Sequence, residues 1–236
     1  SKLKSFNDLQ TTLTMGFRGE ALSSIAEVSD IKIQSYTGDT QLGIQLEKVA
    51  GESSNIIQPI AREKGTTIKV SHLFKKVPVR FRFLKSASAE SNAIHKCVQQ
   101  FVLHYPDIHF SLSNNNVELI NTLGISDLIG RFKYLAGLNQ DANVYQVDSA
   151  NDDIKITGLI LEPTVTFKNR QKCWFSVNNR IVQAAIFYKA IQQAFTDIIP
   201  KQTYPALICN IECPTEDVDI NIHPKKEEVK FVYPDQ

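Results

Sequence analysis

The sequence predicts an α+β fold made of two domains, and three observations carry that prediction. Segments of alternating apolar and polar residues gather in runs and do not alternate one for one with helices. Two stretches, 88–105 and 184–199, instead place apolar residues at helical spacing. Between them, residues 122–126 around Gly124 read as a boundary, which divides the chain into 1–124 and 125–236.

Composition bounds the alternatives. With 236 residues, 42% hydrophobic and 22% charged, the chain can bury a core in each part. No apolar run approaches the ~18 residues of a membrane span, and no signal peptide opens the sequence, so no membrane partner is expected. Cys97, Cys173, Cys209 and Cys213 show neither zinc nor disulfide spacing, and Cys209 and Cys213 read as half-buried thiols in a reduced, cytoplasmic setting. The net charge of +1 conceals two cationic segments. Arg62, Lys64, Lys69, Lys75, Lys76, Arg80, Arg82 and Lys85 stand against Glu63 alone, while Lys168, Arg170, Lys172 and Arg180 have no acid among them. Each segment suits a phosphate backbone if its cations share a face, and otherwise reads as a guarded strand edge.

In chain order, residues 1–13 are polar and irregular, unlike the natural start of a domain. Gly16 and Gly19 then bracket Phe17 and Arg18, and Glu20 opens an amphipathic run with Leu22, Ile25 and Ala26 at helical spacing. A glycine turn entering a helix is a good anion site, because free N–H groups and the helix dipole point one way and no Cβ blocks approach. Spacing alone does not separate it from an ordinary loop. Residues 31–36 and 42–49 form a hairpin about Gly38-Asp39, strands continue at 56–60 and 65–70, and 77–80 reads as a basic connection. In 88–105, Ile94, Cys97, Val98, Phe101, Val102 and Tyr105 follow the helical period until Pro106 stops it. Residues 109–112 and 117–120 pair across Asn114-Asn115-Asn116. Beyond the boundary come a short helix at 127–136 and strands at 143–148, 153–162 and 173–182. A second strong helix at 184–199 presents Phe187, Ile191, Ala194, Phe195 and Ile198 on one face, and strands near 204–212 and 228–232 close the chain.

Four strings add specificity: Gly-Phe-Arg-Gly-Glu-Ala-Leu at 16–22; Gly-Thr-Thr-Ile-Lys-Val at 65–70 with Leu73-Phe74 and Pro78-Val79-Arg80; Val-Asn-Asn-Arg at 177–180; and Val-Asp-Ile-Asn-Ile-His-Pro-Lys-Lys-Glu-Glu-Val at 218–229. In this order, and over essentially the whole chain, they resemble the signatures of the MutL family of DNA mismatch-repair proteins, members of the gyrase- and histidine-kinase-like (GHKL) ATPases. The resemblance implies the rear of a two-layer GHKL ATPase domain over 1–124. Over 125–236 it implies a second α+β domain of the ribosomal-protein and gyrase second-domain type.

By the same resemblance, Gly16, Arg18, Gly19, Ala21 and Leu22 contact the phosphates of ATP, and Thr66 helps fix the adenine side. Lys226 reaches the γ-phosphate and senses it, and Arg180 contacts DNA from a basic groove. Lys225 falls where the family pattern varies, and His223, before Pro224, takes a structural hydrogen-bonding role. The implied cofactors are ATP and Mg²⁺. The implied partners are double- and single-stranded DNA, a mismatch-recognition protein, and a second MutL-type chain in a homo- or heterodimer. The implied location is the bacterial nucleoid or the eukaryotic nucleus.

Two departures qualify the match. Asn179 replaces a glycine, a change that keeps the turn because asparagine tolerates positive φ. No general-base glutamate, magnesium-binding asparagine or Asp-x-Gly-x-Gly loop precedes Ser1. The expectation is an N-terminal half lacking its first segment and inactive alone as an ATPase. Without that segment in the gene, the alternative is a nucleotide-independent DNA-binding scaffold. A gyrase-type topoisomerase part fits the strings less well.

Overall fold

The computed structural model describes residues 20–151, 153–219 and 230–231. Strands and helices form an α+β protein whose contacts gather into two compact units, Ser1–Glu90 and Ser91–Gln236. The division falls upstream of the boundary expected at 124–125. Packing explains the difference, since Val102, Leu103 and Ile120 share one buried cluster with Phe132, Leu135 and Trp174.

In the first unit, helix α1 (Ala21–Val28) runs through buried Ser29 into β1 (Asp30–Tyr36). With β2 (Gly43–Lys48), β3 (Asn55–Ile60) and β4 (Gly65–Ser71) it makes an antiparallel sheet ordered β3-β2-β1-β4. The register sets Ile31, Ile33, Leu46, Ile57, Ile68 and Val70 on one face, because directly paired residues project to the same side. After β4, the segment predicted as a connection contains a five-residue helix, α2 (Pro78–Arg82), started by proline at its first position. Five residues are too few to display a helical period, so the sequence pattern gave no sign of it.

Helix α3 (Ala87–His104) leads into the second unit, where β5 (Ser111–Asn114) and β6 (Val117–Asn121) form a hairpin. Asn115 and Asn116 turn it with φ of 48° and 65°, the paired positive values a tight two-residue turn requires. Helix α4 (Leu128–Ala136) follows, capped by Asp127, whose carboxylate accepts from the Gly130 N–H at 2.7 Å.

A five-stranded mixed sheet completes the unit: β7 (Val144–Ala150), β8 (Lys155–Leu161), β9 (Cys173–Val177), β10 (Arg180–Val182) and β11 (Leu207–Glu212), ordered β10-β9-β11-β8-β7. Only the β9–β11 pairing in it is parallel. Gly158 is required on β8, because a Cβ there would lie 2.0 Å from the Ile208 carbonyl oxygen on β11. Helix α5 (Ala185–Ala194) packs on one face with Phe175, Val177, Val182, Phe187 and Ile191. The other face holds Leu159, Leu161, Trp174 and Ile208 against α3 and α4. Trp174 and Phe175 are neighbours in sequence and enter opposite cores, as strand alternation demands. Short strands β12 (Val218–Asp219) and β13 (Lys230–Phe231) pair antiparallel.

Helix α5 ends earlier than the predicted 199. The Thr196 hydroxyl donates back to the Gln192 carbonyl at 2.8 Å, and Asp197 takes φ of 66°, so the chain turns before Pro200.

Arg131, 2% exposed, joins α4 to what surrounds it. Its Nε donates to the Ile125 carbonyl at 2.9 Å, Nη1 to Val102 and Tyr105 at 3.0 and 2.9 Å, and Nη2 to Ile108 at 2.8 Å. Replacing it by methionine keeps much of the volume and removes four hydrogen bonds, although the Tyr105 carbonyl still accepts from the Ile108 N–H at 3.1 Å. Arg131→Met should therefore destabilise the chain by about 3 kcal/mol or more in urea unfolding, whereas a loss below about 1 kcal/mol would mean that water or a shifted backbone replaces the clamp.

Candidate nucleotide and nucleic-acid sites

Of the residues singled out by sequence, Gly16, Arg18, Gly19 and Lys226 lie outside the described residues, as does His223. Ala21 and Leu22 form the exposed first turn of α1. Glu20 precedes them without a side-chain cap, and Ser24 N–H donates to the Glu20 carbonyl at 2.9 Å. Among the described residues nothing accepts from the amides of Ala21, Leu22 or Ser23. Among the described residues the helix start therefore has no side-chain cap at the positive end of its dipole, an arrangement that suits an anion.

Thr66 lies on edge strand β4 opposite Ser35, and the two hydroxyls are 2.8 Å apart. Thr67 projects to the other face, where its hydroxyl accepts from Arg62 Nη2 at 3.2 Å. Arg62 Nη1 also donates to the Gln34 carbonyl, so this guanidinium braces β1 to β4 and leaves the set of cations free for phosphate. Arg80 and Arg82 stand on α2, whose neighbours Val79, Phe81 and Phe83 are exposed.

A polar knot absent from the sequence reading closes the far end of β1. Asp30 accepts from the Ala50 N–H at 2.9 Å and pairs with His72 Nδ1 at 2.6 Å. His72 and Phe74 both take positive φ, 53° and 60°, and the Phe74 N–H donates to the Val28 carbonyl at 2.8 Å. The knot therefore ties the end of α1 to the middle of the basic segment. Nothing in the local pattern announces a pair 42 residues apart.

In the second unit, Arg180 is half-buried at the start of β10, paired with Val177. Asn178 and Asn179 turn the β9–β10 hairpin with φ of 48° and 62°, so asparagine does keep the turn that glycine makes elsewhere. The Asn178 side chain donates to the Cys213 carbonyl and accepts from the Cys213 N–H, both at 3.0 Å, which fixes the turn against the end of β11. Lys172 Nζ is drawn away to the Leu135 carbonyl at 2.6 Å, at the end of α4. Cys209 and Cys213 are half-buried free thiols. Burial pushes the Cys209 thiol up to about 11 and that of Cys173 up to about 12, which keeps both protonated and unreactive.

Comparison with known proteins places these features. Aquifex aeolicus MutL ATPase domain complexed with ADP superposes with a TM-score of 0.66 at 21% identity, over 89% of this chain and 75% of that one. The N-terminal domain of a DNA repair protein gives 0.73 at 24%, over 93% and 71%. The 43K ATPase domain of Thermus thermophilus gyrase B gives 0.50 at 10%, over 94% and 65%. The fold is therefore that of the GHKL ATPase domains.

Sequence narrows this further. A family model described as "DNA mismatch repair protein, C-terminal domain" matches residues 133–236. DNA mismatch repair protein MutL of Clostridium botulinum is 35% identical over 231 residues, 98% of this chain and 34% of that protein. MutL of Chlorobaculum parvum is also 35% identical over 231 residues, covering 37% of its length. Over nearly its whole length the chain is similar to the MutL DNA mismatch-repair proteins, and it spans about a third of the length of these relatives.

The polar knot has a consequence that can be measured. The Ala50 N–H, then His72, hold the Asp30 carboxyl below its ordinary 3.8. A carboxylate with a depressed folded-state pKa contributes stability above its unfolded value and loses it as the pH falls through the folded one. Asp30→Asn should lower the melting temperature at pH 7 and narrow the gap between melts at pH 7 and pH 3. An unchanged gap would show that Asp30 carries none of the acid sensitivity.

Proposed function

We propose that this chain supplies the lid side and the phosphate-sensing side of an ATP-switched mismatch-repair matchmaker. The observation that carries this is the run of four MutL strings in MutL order, within an alignment at 35% identity across 231 residues. The ADP complex of the similar Aquifex aeolicus MutL ATPase domain supports a nucleotide as ligand.

In this reading the backbone amides of Gly16, Arg18 and Gly19, continued by Ala21 and Leu22, receive the triphosphate. The uncapped start of α1 fits such an anion. Thr66 helps fix the adenine side. Lys226 places its ammonium at the γ-phosphate, where it stabilises charge during transfer and reports whether the phosphate is present. Mg²⁺ accompanies the nucleotide and neutralises phosphate charge when bound. Among the described residues no three His, Cys, Asp or Glu side chains gather as a metal site.

The output is assembly. ATP binding orders the lid and favours a state in which two MutL-type chains, identical or different, close together on DNA. Differential contact with the γ-phosphate shifts that population. Such a switch couples a mismatch-recognition protein to strand incision, with single- and double-stranded DNA as partners, in the nucleoid of a bacterium or the nucleus of a eukaryote. Among the described residues no helix is long and apolar enough to cross a membrane.

Arg180 is the proposed duplex contact. Arg180→Glu should weaken duplex binding and flatten the plot of log affinity against log salt by about one unit, the share of a single phosphate. An unchanged slope would remove Arg180 from the DNA face.

A further inference from the structure

The sheet of the second unit sorts its cations by face. Val177, opposite Arg180, and Phe175, opposite Val182, both enter the core beneath α5. Directly opposed residues of an antiparallel pair project to the same side, so Arg180 stands on the α5 face of the sheet. Lys172 belongs to the opposite side, anchored to the Leu135 carbonyl.

Arg170 belongs to the α5 face as well. Its guanidinium carbon sits 4.5 Å from the centroid of the Tyr188 ring, and that ring meets Phe175 edge to face at 5.4 Å. Phe187 stacks on Phe175 from the next position of α5, at 5.0 Å. Tyr188 is therefore held by the core, and it in turn holds Arg170. A guanidinium laid on an aromatic face keeps its N–H edges directed outward, ordered before any ligand arrives.

Among the described residues no carboxylate is paired with this group. The ion pairs among the described residues, Lys32–Glu47, Lys48–Glu27 and His72–Asp30, all lie in the first unit. Lys168 and Lys189, close to Arg170 and Tyr188 in sequence, are exposed. A stacked, exposed guanidinium that meets no carboxylate among the described residues is a surface for phosphate oxygens, which take arginine two bonds at a time.

We propose that the Arg170–Tyr188 stack is a second phosphodiester-binding site for duplex DNA, on the same face as Arg180. The proposal rests on the DNA-binding reading of the preceding subsection. Arg180 adjoins the turn of the β9–β10 hairpin and Arg170 precedes the opposite end of β9, about 20 Å away along the chain. A duplex repeats every ~34 Å, so the two groups reach backbone positions more than half a helical turn apart. The contacts are separate, and their contributions add.

The test is duplex affinity across a salt series for wild type, Arg170→Gln, Arg170→Lys, Tyr188→Phe, Tyr188→Leu and Arg180→Glu, each checked for an unchanged melt. Arg170→Gln should flatten the slope by about 0.9 and weaken binding about eightfold near 0.1 M salt, the effect of one lost phosphate contact. Tyr188→Phe should bind as wild type. Tyr188→Leu should weaken binding several-fold with the slope kept, and Arg170→Lys should restore the slope without the full affinity. A purely structural arginine would shift the melt and leave the slope alone. Wild-type slope and affinity in Arg170→Gln, beside a flattened Arg180→Glu, would overturn the second site and leave the first standing. A wild-type chain that binds no duplex would overturn both.

Discussion

The second unit depends on one buried cation. Arg131 occupies the place where the last turn of α3, the 105–108 turn, Ile125 and the first turns of α4 converge. The carbonyls it meets belong to a helix end and a tight connection, where backbone partners are few; that of Tyr105 also accepts from the Ile108 N–H. A guanidinium supplies donors in a fixed planar fork, which no apolar side chain can imitate. By fixing α3 against α4 it also fixes the cluster under Leu159, Leu161 and Trp174, and thus one face of the sheet. The opposite face, carrying Phe175 and α5, is then free to present Arg170 and Arg180.

The first unit is organised differently. Its sheet keeps few apolar side chains from solvent, and Ile57, Ile68 and Val70 stay exposed. Local order comes instead from polar ties: Asp30 with His72 and Ala50, and Arg62 with Gln34 and Thr67. These bonds sit at the two ends of β1. They hold the helix that follows the glycine motif and the strand that carries Thr66 in one frame, which a lid and an adenine contact would both need.

Much of this was legible in the sequence, for physical reasons that differ by element. The period of Val98, Phe101 and Val102 marked α3, and alternation marked β1, β4, β8 and β11. The asparagine pairs marked two tight turns, because few other residues accept positive φ. Helix α2 was invisible because one turn has no period. The end of α5 was misplaced because apolar spacing continues to Ile198 while Thr196 and Asp197 already turn the chain. Ties between distant residues, such as Arg131 to Val102 and Asp30 to His72, are products of tertiary packing that no local window contains. The family strings were legible as strings. Which cations share a face was not, because Arg170 and Lys172 are two residues apart and are pulled to opposite sides by Tyr188 and Leu135.

In the proposed reading, nucleotide binding and phosphate sensing govern this protein. Steady-state ATP hydrolysis by the intact gene product, wild type beside Lys226→Ala, tests it most directly. A slow wild-type rate that falls at least about tenfold in the variant, equivalent to ~1.4 kcal/mol of lost transition-state stabilisation, is the predicted result. No hydrolysis by either protein, with duplex binding retained by both, would contradict the switch and leave a DNA-bound scaffold in its place.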